Sequence, residues 1–140
     1  MIILDTNVLS ALMLRTPDEK VAAWLDRQPR TSIWTTSVTI FEVRFGLEIM
    51  SSGKRRSGLI EDLEQLLTSI NHRVAPFDTE AAQQASALMA SRKIQGRPRE
   101  LRDTMIAGIV LARHATLATR NVSHFDDISR ILVDPWTTSA

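Results

Sequence analysis

Three acids stand in this sequence where their neighbours are apolar. Asp5 follows Ile2, Ile3 and Leu4 in the opening "MIILDTN", Glu42 falls among Val38, Phe41, Phe45 and Ile49, and Asp103 lies with Ile106, Ala107 and Val110. At about 100° per residue, Glu42 and Asp103 share a helix face with those apolar side chains. Carboxylates gathered at one cleft repel one another and raise each other's pKa values unless a cation neutralises them. Mg²⁺ or Mn²⁺ suits that task, because these hard ions take oxygen ligands, keep several waters and bridge a few carboxylates to a phosphate. Such an ion eases deprotonation of water and stabilises the charge that develops on a phosphodiester under in-line attack.

Each acid also has a plainer reading. Asp5, Thr6 or Asn7 can cap a following helix. Glu42 can sit in a structural salt bridge or reach past the edge of its stripe to solvent. Asp103, in a first helical turn, is stabilised there by the helix dipole or serves as the cap. The chemical reading rests on the three together. No other constellation competes: His72, His114 and His124 lack metal-ligand spacing and read as surface or helix-end residues, no nucleophile elbow appears, and the glycines form no phosphate-cradling loop.

These acids need elements to position them. Residues 2–4 read as a short strand buried on both faces of a parallel sheet, after which Val8, Leu9, Leu12 and Met13 recur at helical spacing. Pro17, at a first-turn position, introduces an amphipathic stretch built on Val21, Trp24 and Leu25. "TSIWTT" predicts a second strand, and Ser37 a cap for an apolar helix over 38–50 that ends at Ser51, Ser52 and Gly53. A second line on that helix, Ile40, Val43, Leu47 and Met50, meets a partner or completes the core. Further helices are expected over 55–70, from the Asp78 cap to Gly96 and Pro98, and over 101–114; "RVAPF", "TLAT" and "ILVD" supply three more strands, with a polar loop over 121–127. Strands alternating with helices predict a three-layer α/β/α fold with a short-stranded, mainly parallel central sheet. In such sheets ligands bind beyond the carboxyl ends of the strands, which is where Asp5 stands.

At 140 residues the chain suits one domain able to bury a core without staples. Having no cysteine, it forms no disulfide or thiolate site, so any metal must use oxygen or imidazole. The N-terminus has no signal-peptide pattern, and the apolar run Ile106 to Ala112 is too short to span a bilayer, so the expected location is the cytoplasm. A net charge of +1 predicts no polyanion partner by itself. Its distribution says more. Lys54, Arg55 and Arg56 form one basic group and Arg92, Lys93, Arg97, Arg99 and Arg102 another, a basic rim around an acidic centre.

The ordered segments "ILDTNVLSALM", "TIFEVRFGLEIMSSGKRR", "LRDTMIAGIVLARHATLATRNVSHF" and "VDPW" together resemble PIN-domain ribonucleases, in particular the VapC toxins of bacterial type II toxin–antitoxin pairs and their FitB-like branch. The resemblance spans essentially residues 1–140 as one PIN domain. It implies that Asp5, Glu42 and Asp103 bind Mg²⁺ or Mn²⁺ and that an activated water cuts RNA, leaving a 5′-phosphate and a 3′-hydroxyl. Thr119 matches a hydroxyl at the end of the fourth strand, and Asn7 a polar residue that orients the site. Where many members carry a fourth aspartate this chain has Asn121, which can bind a metal-coordinated water but brings no charge; Asp126 and Asp127 are candidate compensators, better explained by capping or exposure. The ion is then held less tightly, and a second metal site is in doubt.

On this reading Asp5 and Asp103 ligate the ion, Glu42 ligates it or orients the attacking water, Asn121 holds an outer water, and Arg55, Arg56, Arg97 and Arg99 are candidate grips on RNA phosphates. The resemblance also implies a homodimer, a higher toxin–antitoxin assembly, and a VapB-like antitoxin lying along an apolar groove, for which Leu9, Leu12, Met13, Trp24, Leu47 and Met50 are candidates. Two alternatives stay open. One is an inactive module that only binds RNA or a partner; the other is an Mg²⁺-dependent aspartyl phosphatase with Asp5 as nucleophile, although that chemistry wants a second carboxylate at position 7, where Asn stands.

Overall fold

A computed structural model describes residues 1–137; the last positions of the expected 1–140 unit lie outside the described residues. The strands are β1 (Ile2–Leu4), β2 (Ile33–Thr36), β3 (Val74–Ala75), β4 (Thr116–Ala118) and β5 (Leu132–Val133). The helices are α1 (Thr6–Leu12), α2 (Glu19–Asp26), α3 (Ser37–Glu48), α4 (Lys54–Ser69), α5 (Thr79–Ile94) and α6 (Leu101–Ala112). Short 3-10 segments, Arg30–Ser32 and Val122–Ile131, precede β2 and β5, so the expected polar loop after Asn121 is a wound segment.

All strand pairs are parallel, in the order β3-β2-β1-β4-β5. The chain builds outward from β1 to β3 and then crosses back to place β4 on the other side of β1. The crevice between the ends of β1 and β4 is thus the point where strand order reverses.

Alternation along the strands divides the core into two layers. Ile2, Leu4, Ile33 and Ala118 join a core with Val8, Leu9, Trp24, Leu47, Leu63 and Leu67 from α1 to α4. Ile3, Trp34, Ala75 and Leu117 face the opposite way, onto Ile106, Ile109 and Val110 of α6, Ala81 of α5 and Phe125. The α/β/α expectation holds, and the sheet is wholly parallel.

Several local readings need correction. Thr36, not Ser37, caps α3 by accepting from Thr39 N–H at 3.0 Å, while Ser37 Oγ accepts from Phe77 N–H at 3.1 Å. Pro17 lies before the cap of α2, which is Asp18. More important, Phe41, Phe45 and Ile49 do not form a buried stripe: they are 61%, 53% and 70% exposed. The second line faces the core instead, through Val43 and Leu47 with Ile40 and Met50 beside them. The helix is apolar on both sides, and only one side can meet α1 and α4. For the same reason Leu9, Met13, Trp24 and Leu47 are buried core residues and Leu12 and Met50 pack against them, so these residues offer no open groove.

The turn between α5 and α6 is set by Gly96, whose φ of 69° lies in the left-handed region. Gly96 N–H donates to Lys93 O at 3.1 Å and Arg97 N–H to Arg92 O at 2.8 Å, the paired bonds of a Schellman ending. The chain then returns as α6, which approaches α5 closely at Gly108. A Cβ there would lie 2.5 Å from Ala81 O and 2.7 Å from Ala85 Cβ. Gly108→Ala should therefore destabilise the fold by about 1–3 kcal/mol in spite of alanine's better helix propensity. Gly46→Ala, where an added Cβ meets nothing within 4 Å, should be neutral or slightly stabilising; urea titration of both variants checks the contrast.

Candidate active site at the ends of beta1 and beta4

Asp5 is carried to the crevice by the last bond of β1, Asp5 N–H to Ala118 O at 2.9 Å. Its side chain is 3% exposed. The capping reading of this residue holds, and the same carboxylate also faces the strand-end crevice. Oδ1 accepts from Thr6 N–H at 2.8 Å as the cap of α1, while Oδ2 accepts from Thr119 Oγ1 at 2.7 Å and from Asn7 Nδ2 at 3.2 Å. A carboxylate has about four acceptor positions, so this network leaves capacity for one further ligand.

Thr119 and Asn7 lock the two strand ends together. The Thr119 hydroxyl spends its proton on Asp5 and accepts from Asn121 N–H at 3.1 Å, with Asn7 Nδ2 at a longer 3.4 Å. Asn7 Oδ1 accepts from Arg120 N–H at 2.9 Å. Asn121 thus enters the network through its backbone, and its exposed side chain caps nothing.

Glu42, on α3, is directed by Thr6, which the sequence offers only as a candidate cap: Thr6 Oγ1 donates to Oε1 at 3.0 Å. Its Oε2 lies 3.8 Å from Arg102 Nη1, a loose pair at the rim. The salt-bridge reading of Glu42 is therefore partly realised, although Arg102 is held more closely by Glu100 at 3.1 Å. Asp103 is not the cap of α6. Glu100 takes that role, accepting from Asp103 N–H at 3.0 Å, which leaves the Asp103 carboxylate to face His124 Nδ1 at 3.0 Å from Oδ2. His72, His114 and His124 are all exposed, as expected; His72 and His114 follow helices with φ of 52° and 51°, and His124 also meets the Asp103 carboxylate. Its signal in sequence was its place three residues past Asn121, which no spacing rule marks.

The acids feel one another. Burial raises the Asp5 pKa above the ordinary carboxylate value; hydrogen bonds from Thr119, Thr6 and Asn7 oppose the rise, and the Asp103 charge adds to it. Glu42 is raised too, chiefly by burial, with the Thr6 bond and Arg102 opposing and the charges of Asp5 and Asp103 adding. The donor set is all oxygen and short of cations, which fits a hard divalent ion. Among the described residues no three acidic or imidazole side chains close on one point at ligand distance. The fit is therefore to an ion held by one or two carboxylates with waters filling the rest, not to a closed cage.

The other candidates divide. Asp126 and Asp127 are exposed, as expected, and both are engaged by arginines: Asp127 binds Arg92 through a two-pronged contact at 2.7 and 2.9 Å, and Asp126 binds Arg99 at 3.1 Å. Arg92 is itself buried and also donates to Thr104 Oγ1 at 2.9 Å, so it is a core clamp, not a rim charge. Arg56 pairs with Glu48 at 3.3 Å. Arg55 and Arg97 are exposed, and Arg55 lines a cleft of about 780 Å³ with Leu14, Arg15, Lys54 and Leu59. No described helix is long and apolar enough to cross a membrane.

A family model described as PIN domain matches residues 2–131. The chain is 38% identical to the VapC ribonuclease Y4jK of Sinorhizobium fredii, over 97% of this chain and 98% of that protein. It is 32% identical to the Toxin FitB of Neisseria gonorrhoeae, over 97% of this chain and 99% of that one. The crystal structure of FitAcB from Neisseria gonorrhoeae matches with a TM-score of 0.88 at 32% identity, covering 99% of this chain and 100% of that chain. With a parallel sheet whose strand order reverses beside Asp5, and a family match over nearly its whole length, the chain belongs to the PIN-domain family, among relatives named VapC and FitB.

Proposed function

We propose that this protein is the toxin of a VapBC-type pair, a divalent-metal-dependent endoribonuclease whose site is built from Asp5, Glu42 and Asp103. The observation that carries the reading is electrostatic: a carboxylate as buried as Asp5, raised in pKa and coupled to two other acids, is poorly placed without a cation. The relative named a VapC ribonuclease supports the reaction class.

When bound, Mg²⁺ or Mn²⁺ supplies a more acidic water and offsets charge on the phosphodiester. The chain's residues do the rest. Asp5 and Asp103 would hold the ion, with Asp5 fixed in direction by Thr119, Asn7 and the Thr6 amide. Glu42, turned by Thr6, would orient the attacking water or share the ion. Arg102 stands beside Glu42 at the rim, where a phosphate would approach. Arg55 and Arg97 are the exposed phosphate grips; Arg56 and Arg99 must first leave Glu48 and Asp126. The exposed apolar line of Phe41, Phe45 and Ile49 provides a face for the homodimer, and a VapB-like antitoxin completes the proposed assembly.

The phosphatase alternative gains nothing at position 7, where the Asn7 amide donates to Asp5 and tethers Arg120. An inactive binding module is separated by activity. RNA cleavage by the purified protein should need Mg²⁺ or Mn²⁺, stop with EDTA, and fall by about 100-fold or more in Asp5→Asn and Asp103→Asn. Full cleavage by folded Asp5→Asn would overturn the assignment.

Stability should follow the same charges. Asp5 and Glu42 bind protons more readily folded than unfolded, so they favour the metal-free fold below the ordinary carboxylate range and cease to do so as pH rises through their raised folded values. In EDTA at neutral pH, Asp5→Asn should melt above the parent, and the gap should close as pH falls toward 3.8, the ordinary Asp value. Mn²⁺ should raise the parent's melting temperature and leave that of the variant nearly unchanged.

A further inference from the structure

The segment after β4 departs from the four-acid pattern at Asn121, yet it is fastened to α5 and α6 more firmly than a plain connection needs. Four consecutive residues each make a different tie. His124 Nδ1 meets Asp103 Oδ2 at 3.0 Å, Phe125 is fully buried, Asp126 binds Arg99 at 3.1 Å, and Asp127 grips Arg92 at 2.7 and 2.9 Å. Arg92 in turn holds Thr104, the residue after Asp103. The anchored segment therefore delivers His124 to one particular oxygen of one particular acid.

We infer that His124 is a positioning residue for Asp103, donating from Nδ1–H to Oδ2 so that the other carboxylate oxygen is turned toward a metal ion shared with Asp5. The inference rests on the metal-dependent reading above. An Asp103 carboxylate can only accept, so the facing imidazole nitrogen carries the proton in this contact. A hydrogen bond of this kind fixes a ligand's rotamer before the ion arrives. Asp103 has little else to do so, because its own backbone N–H is occupied by Glu100 and its helix packs through Ile106, Ala107 and Val110. His124 is 50% exposed, so its replacement leaves the core intact.

The geometry makes a selective test available. An Asn amide nitrogen can occupy the place of imidazole Nδ1, whereas the Gln amide reaches about as far as Nε2 and Ala reaches nothing. Mn²⁺ affinity of the purified chain, measured by calorimetry, should fall about 10- to 100-fold in His124→Ala and His124→Gln. In His124→Asn it should stay within about threefold of the parent, and thermal unfolding of all three in EDTA should match the parent. Parent-like Mn²⁺ binding by His124→Ala overturns the inference alone. Equal loss in His124→Asn and His124→Ala also overturns it, since a donor at the Nδ1 position would then not suffice. No Mn²⁺ binding by the parent overturns the metal reading and this inference with it.

Discussion

The energetic problem at the centre of this molecule is a carboxylate placed out of water beside two others. Asp5 gives up solvation at the end of the central strand and recovers part of it from Thr119, Asn7 and the Thr6 amide. Those donors are not independent. Thr119 directly follows β4 and Asn7 lies in the first turn of α1, just past β1, so the same bonds that solvate Asp5 also tie together the ends of β1 and β4 where the sheet order reverses. Site and fold share one network, and the acid cannot move without loosening the crevice that contains it.

Much of this was legible in sequence because short parallel strands are written as unbroken apolar runs. "IIL" before Asp5 gave the strand and its carboxyl end together, and Asp78 and Gly96 bounded α5 by cap chemistry. What failed was the face of α3. Periodicity grouped Phe41, Phe45 and Ile49 with Glu42 as a buried arc, but a helix apolar on both sides has two such arcs, and only tertiary packing chooses between them. Glu42 does not share a buried arc with the phenylalanines, which are exposed; its carboxylate instead accepts from Thr6 and feels the charges of Asp5 and Asp103.

Contacts across long sequence separations were invisible for a different reason. Thr6 to Glu42, His124 to Asp103 and Arg92 to Asp127 join residues whose types are common on surfaces, and nothing local marks them. Arg92 was read as part of a basic rim because a charge run is ordinarily solvated, yet its guanidinium is buried with each prong matched. A buried, doubly matched arginine has little left for RNA. The basic rim is correspondingly thinner than the composition suggests, and the exposed Arg55 and Arg97 remain among its more available members.

That thinning bears on Asn121. Under the proposed reading, three ionised acids and one divalent ion leave the centre with one net negative charge, which Arg102 offsets only in part because Glu100 holds it more closely than Glu42 does. A fourth carboxylate would add a further negative charge where a phosphodiester must approach, and close like charges repel even through a high effective dielectric. On that reading Asn121 would trade ion affinity for a less repulsive entrance. The trade is workable only if the remaining ligands are well oriented, because an ion with fewer charged partners depends more on their geometry. On the same reading, the hydrogen-bond donors around Asp5, together with the anchored segment from Phe125 to Asp127, would be the means by which the fold provides that orientation.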